Sequence, residues 1–156
     1  MSKLYVLGGR QRKALLRDPT EEWFNWYECA LILEVDTDSG TVRPRVEYLT
    51  PPEARASDKS SINFHSGTLV GDVLYTCTTT EVLTYRLPDF KQIGYVSLPC
   101  FNDLHHVSPS SDGNLLVVNT GLDMVIKMTP RGETVSECSA IGEDPWSRFS
   151  RTRAAR

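Results

Sequence analysis

The chain has 156 residues, enough for one domain with a buried core, and its formal net charge is -3. A chain so close to neutral has no overall field that attracts nucleic acid or an anionic membrane, so neither is predicted as a partner. No apolar run approaches the ~18 residues of a membrane span. The first ten residues do not resemble a signal peptide, and the four cysteines contain no CxxC pair, so we expect a cytoplasmic protein with free thiols.

Short strand-like segments separated by turn residues follow one another along the chain. Gly8 and Gly9 are predicted to form a turn after the first strand. One short helix is predicted from Asp18, with Pro19 at its first position. The aromatic residues after it either pack on the core or line the mouth of a ligand site. The predicted strands cover residues 3–7, 30–35, 41–49, 73–79, 82–87, 92–98, 115–119, 124–128 and 134–139.

A degenerate repeat places His65 and His106 in register. When the two stretches are aligned, residues 71–75 fall near 112–116 and residues 82–85 near 124–127. The spacing of about forty residues is the length of one four-stranded propeller blade. We therefore predict an all-β fold, a partial β-propeller of about three four-stranded blades within a single domain. The blade-like units are expected at roughly residues 1–50, 62–100 and 103–141, followed by a tail at 142–156.

Three blades are too few for a closed ring, because propellers typically have four to eight. Three explanations stay open: the chain is part of a longer propeller, it assembles as a homo-oligomer such as two copies with six blades, or it closes as a smaller sandwich. The open sheet edges favour the first two. The predicted partners are therefore missing blades of a longer chain or further copies of the same chain.

All three histidines stand where a repeat begins. His65 and His106 are expected at similar height on neighbouring blades, and His105 is adjacent to His106. Imidazoles in that arrangement suit zinc or another divalent ion, so all three are candidate metal ligands. Asp103 is a candidate catalytic base, or a group that orients an imidazole. The alternative is that each histidine caps a strand and bonds to backbone. His65 and His106 alone make an incomplete metal site, which needs a third ligand from a missing blade or a partner chain.

Glu81 and Asp123 follow polar runs at the turns inside the two repeats. They are acid/base candidates if they face a pocket, and ordinary turn residues otherwise. The glycines at positions 8 and 9 lack the spacing of a phosphate-binding loop, and no nucleophile elbow occurs, so nucleotide binding and that type of hydrolase are not predicted.

The repeat stretches at residues 64–85 and 103–127, with the run DGNLLVVNTG, resemble the six-bladed propeller superfamily. This superfamily includes strictosidine-synthase-like, gluconolactonase-like and virginiamycin-lyase-like proteins. The resemblance implies a small-molecule ligand at one end of the channel, often with a divalent metal such as zinc or calcium. It also implies carboxylate and Asn ligands in lactonase-like members and His in lyase-like members, which Asn119 and the histidines match loosely.

Two functions follow from these observations. One is an enzyme in which a channel metal assists hydrolysis, elimination or group transfer on a small molecule. The other is a non-catalytic propeller module or fragment that binds a ligand or a protein.

Overall fold

The computed structural model describes residues 2–12 and 26–147. The predicted helix from Asp18 and the last nine residues of the predicted tail lie outside these ranges. The described residues form strands and three short 3-10 turns, which confirms the predicted all-β class. None of their helical segments is long and apolar enough to cross a membrane. The chain divides into two compact units, Met1–Phe64 and His65–Arg156.

Among its described residues, the first unit contains a three-stranded antiparallel sheet in the order β1-β2-β3. Its strands are β1 (Lys3–Gln11), β2 (Tyr27–Asp36) and β3 (Val42–Tyr48). The predicted Gly-Gly turn is wrong, because Gly8 pairs with Leu31 and Gly9 with Ala30 inside β1. The long partner strand β2 continues the ladder past both glycines, and tertiary pairing overrides their turn preference.

The segment after β3 returns to the β1–β2 pair. The backbone N–H of Ile62 donates to the Tyr27 carbonyl, and that of Phe64 donates to the Gly8 carbonyl, each at 3.0 Å. The Phe64 ring is buried and stacks on Tyr48 with ring centroids 6.0 Å apart. This polar connection is therefore anchored at its end by backbone bonds and by one aromatic contact.

The second unit contains two four-stranded antiparallel meanders, β4-β5-β6-β7 and β8-β9-β10-β11. Consecutive strands are neighbours in each sheet, which is the arrangement of a propeller blade and agrees with the predicted partial propeller. The strands of the first meander are β4 (Ser66–Val70), β5 (Val73–Cys77), β6 (Val82–Arg86) and β7 (Lys91–Val96). Those of the second are β8 (Leu104–Pro109), β9 (Leu115–Asn119), β10 (Met124–Met128) and β11 (Thr134–Ser139).

The two meanders pack face to face. Cys77 in β5 is fully buried in the shared core. The residues that meet it alternate along the facing strands, because side chains of a strand point to opposite faces in turn. The core also includes Val82, Val96, Phe101, Leu104, Val107, Leu115, Val117, Leu122, Met124, Ile126 and Met128.

The hairpin that ends each sheet carries a register shift. It falls between Ile32 and Leu33 in β2, between Thr84 and Tyr85 in β6, and between Lys127 and Met128 in β10. A shared bulge identifies β2, β6 and β10 as equivalent strands of the three sheets. The described sheet of the first unit therefore matches the second, third and fourth strands of a meander, without the first.

Candidate functional site

Backbone hydrogen bonds hold the chain where it enters each sheet of the second unit, to its own sheet at His65 and to the turn of the preceding sheet at Leu104. The His65 N–H donates to the Cys77 carbonyl, and the Leu104 N–H donates to the Thr79 carbonyl, each at 3.0 Å. Ser66 then pairs with Cys77, whereas His106 pairs with Val118 and leaves His105 unpaired between Leu104 and His106.

These pairings change the alignment of the histidines. Ser66 and His106 occupy equivalent places, and so do His65 and His105. The predicted register matched His65 with His106 instead. The predicted register is off by one residue, because the segment from His106 to Val118 is one residue longer than the equivalent segment from Ser66 to Cys77.

His65, His105 and Asp103 are close together in the structure. The two imidazole centroids lie 4.9 Å apart with the rings tilted by 37°. The His105 Nε2 is 3.3 Å from the Asp103 Oδ2, and the His65 Nε2 is 3.4 Å from the Thr79 hydroxyl. The His105 side chain is 50% exposed and that of Asp103 30%, so a molecule from solvent can reach this histidine cluster.

The partly buried position of His65 lowers the pKa of its imidazole below the ordinary value. Burial is the main cause, the neighbouring His105 adds to it, and Asp103 acts in the opposite direction. This shift favours the uncharged form of the His65 imidazole. A neutral imidazole keeps a nitrogen lone pair, which both metal ligation and hydrogen-bond acceptance require.

The His106 ring is held between two hydroxyls of β4. Its Nδ1 is 3.0 Å from the Ser66 Oγ and its Nε2 is 3.3 Å from the Thr68 Oγ1. Since the Thr68 hydroxyl donates its only proton to the Val107 carbonyl, at 2.8 Å, it accepts from His106 Nε2. Ser66 then donates to Nδ1. Both ring nitrogens of His106 thus join β8 to β4. The metal-ligand role of His65, His105 and His106 stays a prediction.

No group of three or more His, Cys, Asp or Glu side chains within residues 2–12 and 26–147 is placed to hold a metal ion. A metal at the histidine cluster would need further ligands from a bound molecule or another chain.

The two other acid/base candidates, Glu81 and Asp123, lie in turns and make hydrogen bonds there. Glu81 is fully buried and accepts a hydrogen bond of 2.8 Å from the Thr78 hydroxyl. Asp123 has a φ of 52° and ends the 3-10 turn after β9, where its carbonyl accepts from the Ala140 N–H at 2.7 Å. Neither belongs to the histidine cluster.

Asn119 anchors the connector that carries Asp103. Its buried side chain accepts from the Asn102 N–H at 2.9 Å and donates to the Cys100 carbonyl at 3.0 Å. The Asp103 carbonyl accepts from the Thr120 N–H at 3.2 Å. Thr79 and this anchoring role of Asn119 were not found from the sequence, because a polar residue at a strand end reads as an ordinary turn residue.

A separate cavity of about 460 Å³ lies at the end of β11. It shares no lining residue with the histidine cluster. Its wall includes Trp146, whose indole N–H donates to the Glu137 carboxylate at 2.6 Å.

We expect replacement of His105 and replacement of Asp103 to shift the pKa of His65 in opposite directions. Replacing His105 by Asn removes a neighbour that lowers the pKa of His65, so that pKa should rise. Replacing Asp103 by Asn removes a nearby negative charge, so that pKa should fall further. Imidazole NMR titrations of the three proteins measure both shifts, and shifts of the same sign in the two variants would contradict this geometry.

No family model matches the chain. No curated protein matches it in sequence. Among solved structures, it is similar to the WD40 domain of Neurospora crassa Pan2, with 14% identity and a TM-score of 0.48, over 72% of this chain and 35% of that one. The chain thus spans about a third of that domain's length, and a likeness so distant supports no statement about ligands or activity.

Proposed function

We propose that this chain is a propeller-type binding module whose ligand contacts the histidine cluster. The observation that carries the proposal is the contact of His65 with His105. These residues occupy equivalent places in neighbouring sheets, and their rings are 4.9 Å apart at a surface open to solvent. Equivalent positions of successive blades converge toward one axis, and a ligand at that axis is contacted by several blades at once.

The chemistry of the cluster favours a ligand complex that includes a divalent transition ion. The lowered pKa of His65 favours its uncharged form, and Asp103 contacts the Nε2 of His105, as carboxylates do when they orient a ligating imidazole. Two imidazoles leave coordination positions for groups of a bound small molecule. This proposal agrees with the ligand that the six-bladed propeller resemblance implies.

The enzymatic alternative has less support. It needs Asp103 to act as a base toward a substrate, and Asp103 instead contacts His105 and lies on a connector held by Asn119. A carboxylate in this arrangement is suited to orient the imidazole beside it.

A zinc titration tests the proposal. We expect calorimetry to show one binding event for zinc, and imidazole NMR signals of His65 and His105 to shift with it. His65→Ala and His105→Ala should each weaken binding by at least about tenfold.

His106→Ala is the matched control, because its ring faces Ser66 and Thr68 in β4. It should leave the zinc affinity unchanged. No zinc binding by the wild type, or an equal loss in His106→Ala, would overturn the assignment to His65 and His105.

A further inference from the structure

The sheet of the first unit has a second apolar face that is open to solvent. Leu4 pairs with Val35, and Val6 pairs with Leu33. Val35 pairs in turn with Val42, so these side chains share one face. Leu4, Val6 and Val42 are 54%, 42% and 53% exposed. We call this surface, with Leu31, the β1–β3 apolar face.

Strand β2 has the composition of a strand buried on both sides. Ala30 and Ile32 on its other face are fully buried, while Leu31 and Leu33 on the β1–β3 apolar face are half-buried. Near-continuous apolar runs are typical of strands covered on both faces. An exposed apolar surface of this kind marks an interaction site.

The second unit also exposes an apolar surface, on its last sheet. Val125 pairs with Val118 on one side and Cys138 on the other, and the neighbouring Leu116 is 38% exposed. These four side chains form the β8–β11 apolar face. The opposite face of the same sheet, with Ile126 and Met128, is buried in the core.

The shared bulge relates each of the two open faces to a face that is packed between the two meanders of the second unit. Leu33, Tyr85 and Met128 follow the register shift in their strands, so they are equivalent. The β1–β3 apolar face therefore corresponds to the face of Met128, which packs on the preceding sheet of the second unit.

The β8–β11 apolar face is equivalent to the face of the first meander that packs on the second meander. Val125 lies three positions before the shifted residue, as Val82 does in β6. Val82 is fully buried against the last sheet. The packing between the two meanders thus provides the pattern for joining one open face to the other.

We propose that a second copy of this chain covers both open faces in a head-to-tail dimer. The β1–β3 apolar face of each copy packs on the β8–β11 apolar face of the other, as the two meanders pack within the second unit. Head-to-tail contacts form closed rings when the rotation allows it. Two copies contribute six sheets, which lies within the range of closed propellers, whereas one copy contributes three.

Sedimentation equilibrium of the full chain tests this proposal. We expect the wild type to have twice the mass of one chain. Val6→Asp on one face and Leu116→Asp on the other should each raise the dimer dissociation constant by at least about tenfold, because each buries an unpaired charge. Leu69→Asp is the control, since Leu69 is 49% exposed and belongs to neither face. Circular dichroism verifies that the variants are folded.

Mixing the two variants distinguishes head-to-tail packing from a dimer in which each face packs on the same face of the other copy. A Val6→Asp copy keeps its β8–β11 apolar face, and a Leu116→Asp copy keeps its β1–β3 apolar face. The mixture should therefore dimerise more tightly than either variant alone, because one of its two contacts carries neither substitution. A monomeric wild type, as expected if further blades of a longer chain cover these faces, would overturn the proposal. Equal weakening by Leu69→Asp, or a mixture that stays monomeric, would also overturn it.

Discussion

Replacing Asn119 by Leu should lower the free energy of unfolding by about 2–4 kcal/mol. The Asn119 side chain is fully buried and bonds to the Asn102 N–H and the Cys100 carbonyl. Leucine has a similar size but no polar atom, so both backbone groups lose their side-chain partner. Both hydrogen bonds are partly buried, and each backbone group that loses its partner there costs about 1–2 kcal/mol, which exceeds the gain from added apolar surface. Urea unfolding at neutral pH measures the difference.

Asn114→Leu is the control for this prediction. Asn114 lies in the turn between β8 and β9 and is only half-buried, so its replacement should cost less than about 1 kcal/mol. Because the connector held by Asn119 carries Asp103, Asn119→Leu should also move the imidazole signals of His105. Equal stability of the two variants would show that the Asn119 bonds contribute little to the native state.

The fold class was predictable because its signals are local. Alternating apolar residues and turn residues such as Gly71 and Gly113 recur at the spacing of a blade, and each feature depends on a few neighbouring residues. β9, β10 and β11 have the predicted bounds for the same reason. The turn expected at Gly8 and Gly9 failed because pairing with a distant strand decides their conformation.

The candidate site was only partly predictable, because the partners of the histidines depend on strand register. A single residue more in the β8–β9 hairpin shifts the match from His106 to His105. A one-residue slip turns a side chain to the opposite face of a strand. The sequence shows three histidines at the start of a repeat, but only backbone pairing distinguishes the two whose rings meet from the one that faces Ser66 and Thr68.

The contrast between Gly9 and Gly8 provides a second stability test with a large expected effect. A Cβ atom on Gly9 would lie 2.8 Å from the Asn63 Cβ and 2.9 Å from the Tyr27 ring, closer than such atoms approach. Gly9→Ala therefore has to displace the segment that leads to Phe64 or the Tyr27 ring. Overpacking of this kind typically costs about 1–3 kcal/mol, and we expect a loss of stability in that range.

Gly8→Ala is a closely matched control, because the two glycines are adjacent in β1 and a Cβ at Gly8 meets no atom within 4 Å. It should be neutral or should stabilise the chain by up to about 1 kcal/mol, since alanine restricts the unfolded chain more than glycine does. Denaturant unfolding of both variants should show Gly9→Ala to be the less stable by at least about 1 kcal/mol. Indistinguishable stabilities would mean that Asn63 and the Tyr27 ring do not pack against Gly9 as described, since those two contacts make the positions different.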